Sequence, residues 1–416
     1  MNSARMQHLG GAGDSEKSPE TGTTYGTETE GLCTSHTQRP RNWWDMEWAK
    51  PKYAREQVNA AARGFLGYDA AGGYDFQKFN DYVDSLVVIN NWRTSHSYPL
   101  NTFQIILRRY AHDVCKTPLV AQRTKRLKSI ELKLRLQERM KLTQMQDIAG
   151  CRAVVTSVAE VKRLATRFAA SNLKHEVATV DDYIAKPKRS GYRGVHLVYR
   201  YFSDKKKTAV YNGLKVELQL RSQFQHAWAT AVETVGAFTK QALKSSIGEP
   251  DWLRFFVIMG TEIALREGTA PVPNSPSDPS ELRTEIGDLA AKLDVAKKLN
   301  AYRNALSILT SEQSLKGKHL YLLELDPIRD QLSVTGFGAR ERQLASERYL
   351  EAEKKVRENP KKDAVLVSVS SVSALKRAYP NYFADTRVFL QLLEQAVAQR
   401  KESISVGDAL RAARSS

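Results

Sequence analysis

Cysteine is scarce. Cys33, Cys115 and Cys151 are the only three in 416 residues, far apart and without a CxxC pair. That argues against a disulfide framework or a cysteine-built zinc site, and it suits a reducing compartment. Long apolar runs are missing too. The first residues, MNSARMQHLGGAGDSEKSPETGTTYGTETEG, hold no apolar core of a secretory signal, and no window reaches the length of a membrane span. A cytoplasmic protein with no membrane partner is expected. Acidic side chains are outnumbered: 46 Asp+Glu against 63 Lys+Arg leave a net charge of +17. Such an excess favours polyanionic partners, whether nucleotides, RNA or an anionic membrane face, without choosing among them. A charge that only keeps the chain monomeric is the plainer alternative. No internal repeat is visible.

What is present looks globular. The chain is 42% hydrophobic and 26% charged, ordinary values, and long enough for two or three cores. Residues 1–41 lack apolar periodicity and are expected as a disordered tail. Residues 42–115 carry apolar side chains at spacings of three and four, as in packed helices; Asn101 or Thr102 is placed to cap the last one. Residues 116–141, with nine Lys/Arg against two Glu, are expected as a basic helical stretch. Then CRAVVTSV, GVHLVYRYF and LKVELQLRS are strands, AEVKRLATRFAASN an amphipathic helix, and QFQHAWATAVETVGAFTKQAL a further helix. The spacing predicts an α+β domain over 116–266 with helices around a mixed sheet. EGTAPVPNSPSDPSE (267–281) is expected to be a linker, followed by a helical connector (282–313), a ββαβα module (314–400) and a tail (401–416).

The chemistry concentrates in the 116–266 segment. In VELQLR, a period of two puts Val216, Leu218 and Leu220 on one face and Glu217, Gln219 and Arg221 on the other. That polar row is either the solvated face of an edge strand or a site. In QDIAGCR, Asp147 precedes a turn at Gly150, with Arg152 at the head of a strand; Asp147 is either a helix N-cap or a site acid. If the strands near 151 and 215 pair, Asp147 and Glu217 converge. Two carboxylates at that range need a proton or a cation between them, and with phosphates nearby Mg²⁺ is the natural one. Ser129 and Lys133 lie four apart on one helical face with Lys125 a turn earlier and Arg123 at the entry, while Leu127, Ile130 and Leu134 point inward. This is either a row of phosphate-binding cations or a solvated basic face.

RTKRLKSIELKL, QDIAGCR, KPKRSGYRGVH and VELQLRSQFQHAW occur in this order, and the chain over roughly 90–245 resembles the synthetase domain of RelA/SpoT-type alarmone synthetases. The resemblance implies a nucleotidyltransferase-like mixed sheet and transfer of the β,γ-pyrophosphate of ATP to the ribose 3′-hydroxyl of GDP or GTP. It implies that Arg123 and Arg152 sandwich the adenine and that Lys125, Ser129 and Lys133 hold the ATP phosphates. Asp147 and Glu217 would bind Mg²⁺, with Glu217 polarising the attacking hydroxyl. Tyr192 would stack on the acceptor guanine; Lys186, Lys188, Gln219 and Arg221 would line the acceptor phosphates and ribose; His196 would sit beside the transferring group. Each of these has a plainer alternative, such as a turn aromatic for Tyr192 and a satisfied core histidine for His196. Trp228 is expected in the core, and His226 either on a helix surface or behind the site.

Two departures matter. Where many members carry a Glu-His pair four residues after the Trp, this chain has Val232, then Glu233 and Thr234, so Glu233 receives no role. His112-Asp113 is an isolated dipeptide, and no hydrolase activity is expected. Competing readings are a toxic synthetase acting on the 3′ end of tRNA or on adenosine nucleotides, and a catalytically silent nucleotide- or RNA-binding module. The family's smaller members suggest control by an antitoxin-like partner or by the C-terminal module, and a homo-oligomer is a separate expectation.

Overall fold

The computed structural model describes residues 48–414 except 68–75, 240, 242, 244–245, 306, 309–311, 327, 330, 339, 360–361 and 384. The expected tail over 1–41 lies outside the described residues. Helices α1 (Arg55–Gly67), α2 (Phe76–Ser95) and α3 (Ser97–Val114) come first. α3 buries Leu100, Phe103, Leu107 and Ala111, spaced by three and four, against the sheet. It starts at Ser97, so Asn101 and Thr102 lie inside it instead of capping it. The Thr102 hydroxyl turns back to the Tyr98 carbonyl at 3.1 Å.

The expected basic helix over 116–141 is only partly helical. It opens with strand β1 (Leu119–Thr124), and α4 (Leu127–Leu136) follows. Pro118 disfavours helical backbone just before β1, and β1 then pairs residue for residue, antiparallel, with β2 (Ala149–Val155). Tertiary pairing outweighs the helix formers of this stretch. In α4, Leu127, Ile130 and Leu134 are buried, as the spacing requires.

Past β2, α5 (Val158–Ala169) is capped by Ser157, which accepts the Glu160 N–H, and it buries Val158, Val161, Leu164 and Phe168. β3 (Glu176–Asp182), β4 (Val195–Arg200) and β5 (Lys215–Ser222) follow, then α6 (Gln223–Thr239), α7 (Pro250–Arg266), α8 (Pro279–Lys292) and α9 (Val295–Ala305). The segment read as a linker packs closely. Val272 is buried and donates its N–H to the Thr261 hydroxyl at 3.1 Å, and Asp278 caps α8.

The remaining elements are β6 (Ser307–Ile308), β7 (Leu320–Asp326), β8 (Gln331–Phe337), α10 (Arg342–Glu358), β9 (Asp363–Ser368), α11 (Val372–Ala378) and α12 (Arg387–Arg414). The helix α12 runs on through the stretch expected as a tail from 401. Order β3-β4-β5-β2-β1-β9-β7-β8-β6 makes a single nine-stranded mixed sheet among the described residues, in an α+β fold. β9 pairs antiparallel with β1 through Gln122–Ser368 and Arg123–Val367. The ββαβα segment therefore shares its sheet with the 116–266 segment, and the described residues form one compact unit. Leu119, Ala121 and Val154 share a core with Leu323, Leu332, Val365 and Tyr379. Each fully buried aliphatic side chain there is worth roughly 1.5–3 kcal/mol, too much for a loose tether.

A buried ion pair bolts this junction. Glu353 of α10 accepts two hydrogen bonds from Arg93 of α2, at 2.7 and 3.1 Å, and one from the Leu127 N–H at 2.6 Å. The Arg93 Nε–H donates to the Lys125 carbonyl at 3.0 Å. Removing one partner strands the other charge in the interior. Glu353→Ala is expected to cost about 3–5 kcal/mol in urea denaturation, and Arg93→Met with Glu353→Leu clearly less. A single-variant loss under about 1 kcal/mol would show that the junction does not rest on this pair.

Candidate active site

β2 and β5 run parallel, and their register sets Gly150 opposite Glu217, Arg152 opposite Gln219 and Val154 opposite Arg221. Val216, Leu218 and Leu220 are fully buried on one face, so the period of two sends Glu217, Gln219 and Arg221 to the other. β5 lies between β4 and β2, which rules out the solvated edge strand. Across β4, His196 stands opposite Gln219; across β1, Arg123 stands opposite Gly150. One stretch of sheet thus gathers Arg123, Arg152, His196, Glu217, Gln219 and Arg221.

Asp147 sits in the connection leading into β2 and caps no helix. Its carboxylate accepts from the Lys125 ammonium at 2.5 Å and the Lys133 ammonium at 3.0 Å. Burial would raise its pKa, but the two lysines override that and hold it well below the usual carboxylate range. Lys125 is not on α4 but in the turn before it, and burial depresses its pKa against the pull of Asp147. Glu217 is held below its ordinary value: burial opposes its charge, and His196 outweighs both that and the repulsion from Asp147. The two acids, seventy positions apart, are thus near enough to feel each other.

Around Glu217 the side chains form a closed hydrogen-bonded ring. His196 Nδ1 lies 2.9 Å from Glu217 Oε1, and His196 Nε2 lies 2.5 Å from the Tyr192 hydroxyl. Arg221 donates to the Tyr192 oxygen through an Nη at 2.9 Å and Nε at 3.3 Å, and to Gln219 Oε1 at 3.2 Å. Gln219 Nε2 returns to Glu217 Oε2 at 2.7 Å. Tyr192, expected to stack on the acceptor guanine, is largely enclosed by its neighbours in this structure. The ring is 9% exposed, set at 67° to Trp228, with the Arg221 guanidinium 5.0 Å above its centroid. Burial pushes its hydroxyl pKa up, and Arg221 draws it back.

The more open aromatic is Tyr183, which the sequence reading passed over. It is half-buried, edge-on to Tyr192 and His196, and the exposed Lys188 places its ammonium 4.2 Å over the ring. Lys186 is exposed on the same turn. Ser129 is half-buried on α4, one turn before Lys133.

One face of Arg152, an arginine expected to sandwich adenine, is covered. Arg152 has its guanidinium 5.5 Å over the Tyr379 ring and donates to the Ala378 carbonyl at 3.2 Å, while the Tyr379 hydroxyl donates to the Gln122 carbonyl at 3.2 Å. Burial, with repulsion from Arg221, lowers the Arg152 pKa to about 10. Arg126 pairs with Asp363 and with the Tyr382 hydroxyl. Of the two tyrosines in YPNY (379–382), Tyr379 lies against Arg152 and Tyr382 meets Arg126. Trp228 is core, its indole N–H donating to the Phe256 carbonyl at 2.8 Å. His226 is buried instead of lying on a helix surface; burial and the nearby Arg152 and Arg221 lower its pKa to about 3, and its Nε2 meets the Arg377 carbonyl at 3.1 Å.

Backbone freedom at Gly194 lets the ring close. Its φ is +144°, and a Cβ there would lie 3.1 Å from the Leu220 carbonyl oxygen, 3.3 Å from Arg221 Cγ and 3.5 Å from the Tyr192 hydroxyl. Gly194→Ala is expected to lower stability by roughly 1–3 kcal/mol by thermal or urea unfolding. An unchanged midpoint would show that the turn relaxes without cost.

A family model described as "Region found in RelA / SpoT proteins" matches residues 122–240. No curated protein matches. Among solved structures, the chain is similar to small alarmone synthetase 1 from Bacillus subtilis, at 25% identity over 41% of this chain and 87% of that one, with a TM-score of 0.34. It is similar to a GTP pyrophosphokinase family protein from Streptococcus pneumoniae, at 21% identity over 54% and 98%, TM-score 0.33. It is also similar to a complex of the type VI effector Tas1 with its immunity protein, at 16% over 49% and 92%, TM-score 0.24. The matched segment holds every residue of the site from Arg123 to Arg221, and over that segment the chain matches the family model.

Proposed function

We propose that the chain is an ATP-dependent pyrophosphokinase that transfers the β,γ-pyrophosphate of ATP to the 3′-hydroxyl of GDP or GTP. The observation that carries this reading is the convergence of Asp147 and Glu217 beside Lys125, Lys133 and Lys188, a set suited to phosphate oxygens and a divalent cation. In the reaction the 3′-oxygen forms a bond to the β-phosphorus, the bond from that phosphorus to the α,β-bridging oxygen breaks, and AMP leaves. The hydroxyl proton passes to Glu217. Lys125 and Lys133 hold phosphate oxygens and offset the charge shifted onto them; little else is required beyond alignment.

Among the described residues no group of three or more His, Cys, Asp or Glu side chains could hold a metal alone. Two carboxylates do fit Mg²⁺, which keeps waters and completes its shell with nucleotide oxygens. Asp147 and Glu217 would hold it, Asp147 releasing one lysine to a phosphate. Bound there, it supplies Lewis-acid neutralisation of the transferring group. No helix among the described residues is long and apolar enough to cross a membrane.

The Tyr379 ring occupies the face of Arg152 that adenine would take, so ATP entry requires the segment after α11 to move. The buried Tyr192 lends the guanine acceptor no direct support, and tRNA or an adenosine nucleotide is an alternative outcome of one assay. Protein incubated with labelled ATP and, separately, GDP, GTP, AMP and bulk tRNA is expected to label the guanosine nucleotides. Label on tRNA or AMP alone would replace the acceptor, and nucleotide binding without transfer would favour a silent binding module. No release of pyrophosphate from the labelled product is expected, in line with the isolated His112-Asp113.

Two variants sharpen the reading. Glu217→Gln is expected to abolish transfer while ATP affinity stays within a few-fold; near wild-type turnover would remove Glu217 from the chemistry. Tyr379→Ala is expected to tighten ATP binding by about tenfold, the equivalent of roughly 1.4 kcal/mol, read by calorimetry. Unchanged affinity would show that this ring does not compete with adenine.

A further inference from the structure

We propose that Tyr192 acts through its hydroxyl, as a positioning residue that fixes which nitrogen of His196 carries the proton and so aims a donor at Glu217. The inference rests on the transferase reading for its catalytic consequence, while the proton arrangement follows from the ring itself.

The direction of each bond follows from what each group can do. A guanidinium only donates. Arg221 approaches the Tyr192 oxygen through two nitrogens, at 2.9 and 3.3 Å, so that oxygen accepts. The single phenolic proton then has one receiver, His196 Nε2 at 2.5 Å. An Nε2 that accepts carries no proton, which leaves it on Nδ1, 2.9 Å from Glu217 Oε1. The opposite arrangement would crowd three donors onto the Tyr192 oxygen and leave its own proton unreceived. Arg221 fixes the other arm in the same way. By donating to Gln219 Oε1 it turns the amide so that Nε2 donates to Glu217 Oε2 at 2.7 Å.

Each oxygen of Glu217 therefore receives one neutral donor, and the carboxylate plane is fixed at two points. Its remaining lone pairs face the divalent cation and the acceptor hydroxyl of the proposed reaction. Two donors that keep their protons orient a base without quenching it, whereas a directly paired arginine would hold it as an inert salt bridge. The Gly194 turn supports this, since its missing Cβ lets Tyr192 and Arg221 approach.

A stacking platform and a hydroxyl anchor separate under one substitution. Tyr192→Phe keeps the ring and removes only the oxygen. It is expected to lower kcat about tenfold or more while the acceptor KM stays within about twofold. An unchanged kcat, or a loss confined to KM, would overturn the proposal. His196→Asn preserves a donor toward Glu217 and should retain more activity than His196→Ala. In the His196→Asn background, adding Tyr192→Phe should change kcat by less than about twofold, because the hydroxyl then has no imidazole to orient. Full additivity of the two changes would count against the chain of contacts.

A readout without activity keeps the two readings apart. Heteronuclear NMR of the His196 imidazole is expected to show the proton on Nδ1 in the wild-type protein and a tautomer mixture in Tyr192→Phe. A wild-type chain that transfers to no acceptor but shows this pattern would sink the transferase reading and leave the hydroxyl assignment standing. A proton on Nε2 in the wild type would sink the assignment whatever the chain transfers.

Discussion

A slip of one residue between β2 and β5 would turn Glu217, Gln219 and Arg221 into the core and Val216, Leu218 and Leu220 out of it. Those three apolar side chains are fully buried, and at roughly 1.5–3 kcal/mol each their exposure would cost a sum comparable with the whole stability of a domain. The register is therefore fixed by hydrophobic burial, and the polar face inherits its order from it. Because the pairing is parallel, Glu217 faces Gly150, three residues beyond Asp147. Everything chemical in the site depends on that alignment.

Charge in this site works against burial at nearly every position. Asp147 and Glu217 are kept ionised although their surroundings oppose it, the first by two lysines and the second by His196 and Gln219. Lys125, buried beside Asp147, is depressed by burial. A cluster of cations and acids held this way is suited to exchanging internal partners for a polyanion and its counter-cation.

The C-terminal elements make contacts that resemble those of such a ligand. Tyr379 offers an aromatic face to Arg152, Asp363 a carboxylate to Arg126, and Glu353 a carboxylate to the first N–H of α4. An aromatic and two anions thus meet the basic side chains and free N–H groups of β2 and the start of α4. The shared sheet explains how they are held: β9 extends the same surface from β1, so the cover and the site form one packed body.

By itself the sequence determined the local periodicities: the alternation in VELQLR, the inward row of Leu127, Ile130 and Leu134, the amphipathic α5, and the set of acids, cations and histidine that the site draws upon. Those are properties of neighbours along the chain, where a period of two or 3.6 records which side is apolar. It misread β1 as helix, since strand pairing is a contact with residues some thirty positions away that no local preference encodes. It missed the packing of Tyr379 on Arg152, the burial of Tyr192 and the continuity of the C-terminal strands for the same reason. Only the tertiary structure decided which side chains meet, because hydrogen-bond direction, desolvation and ring contacts arise between residues that the chain keeps far apart.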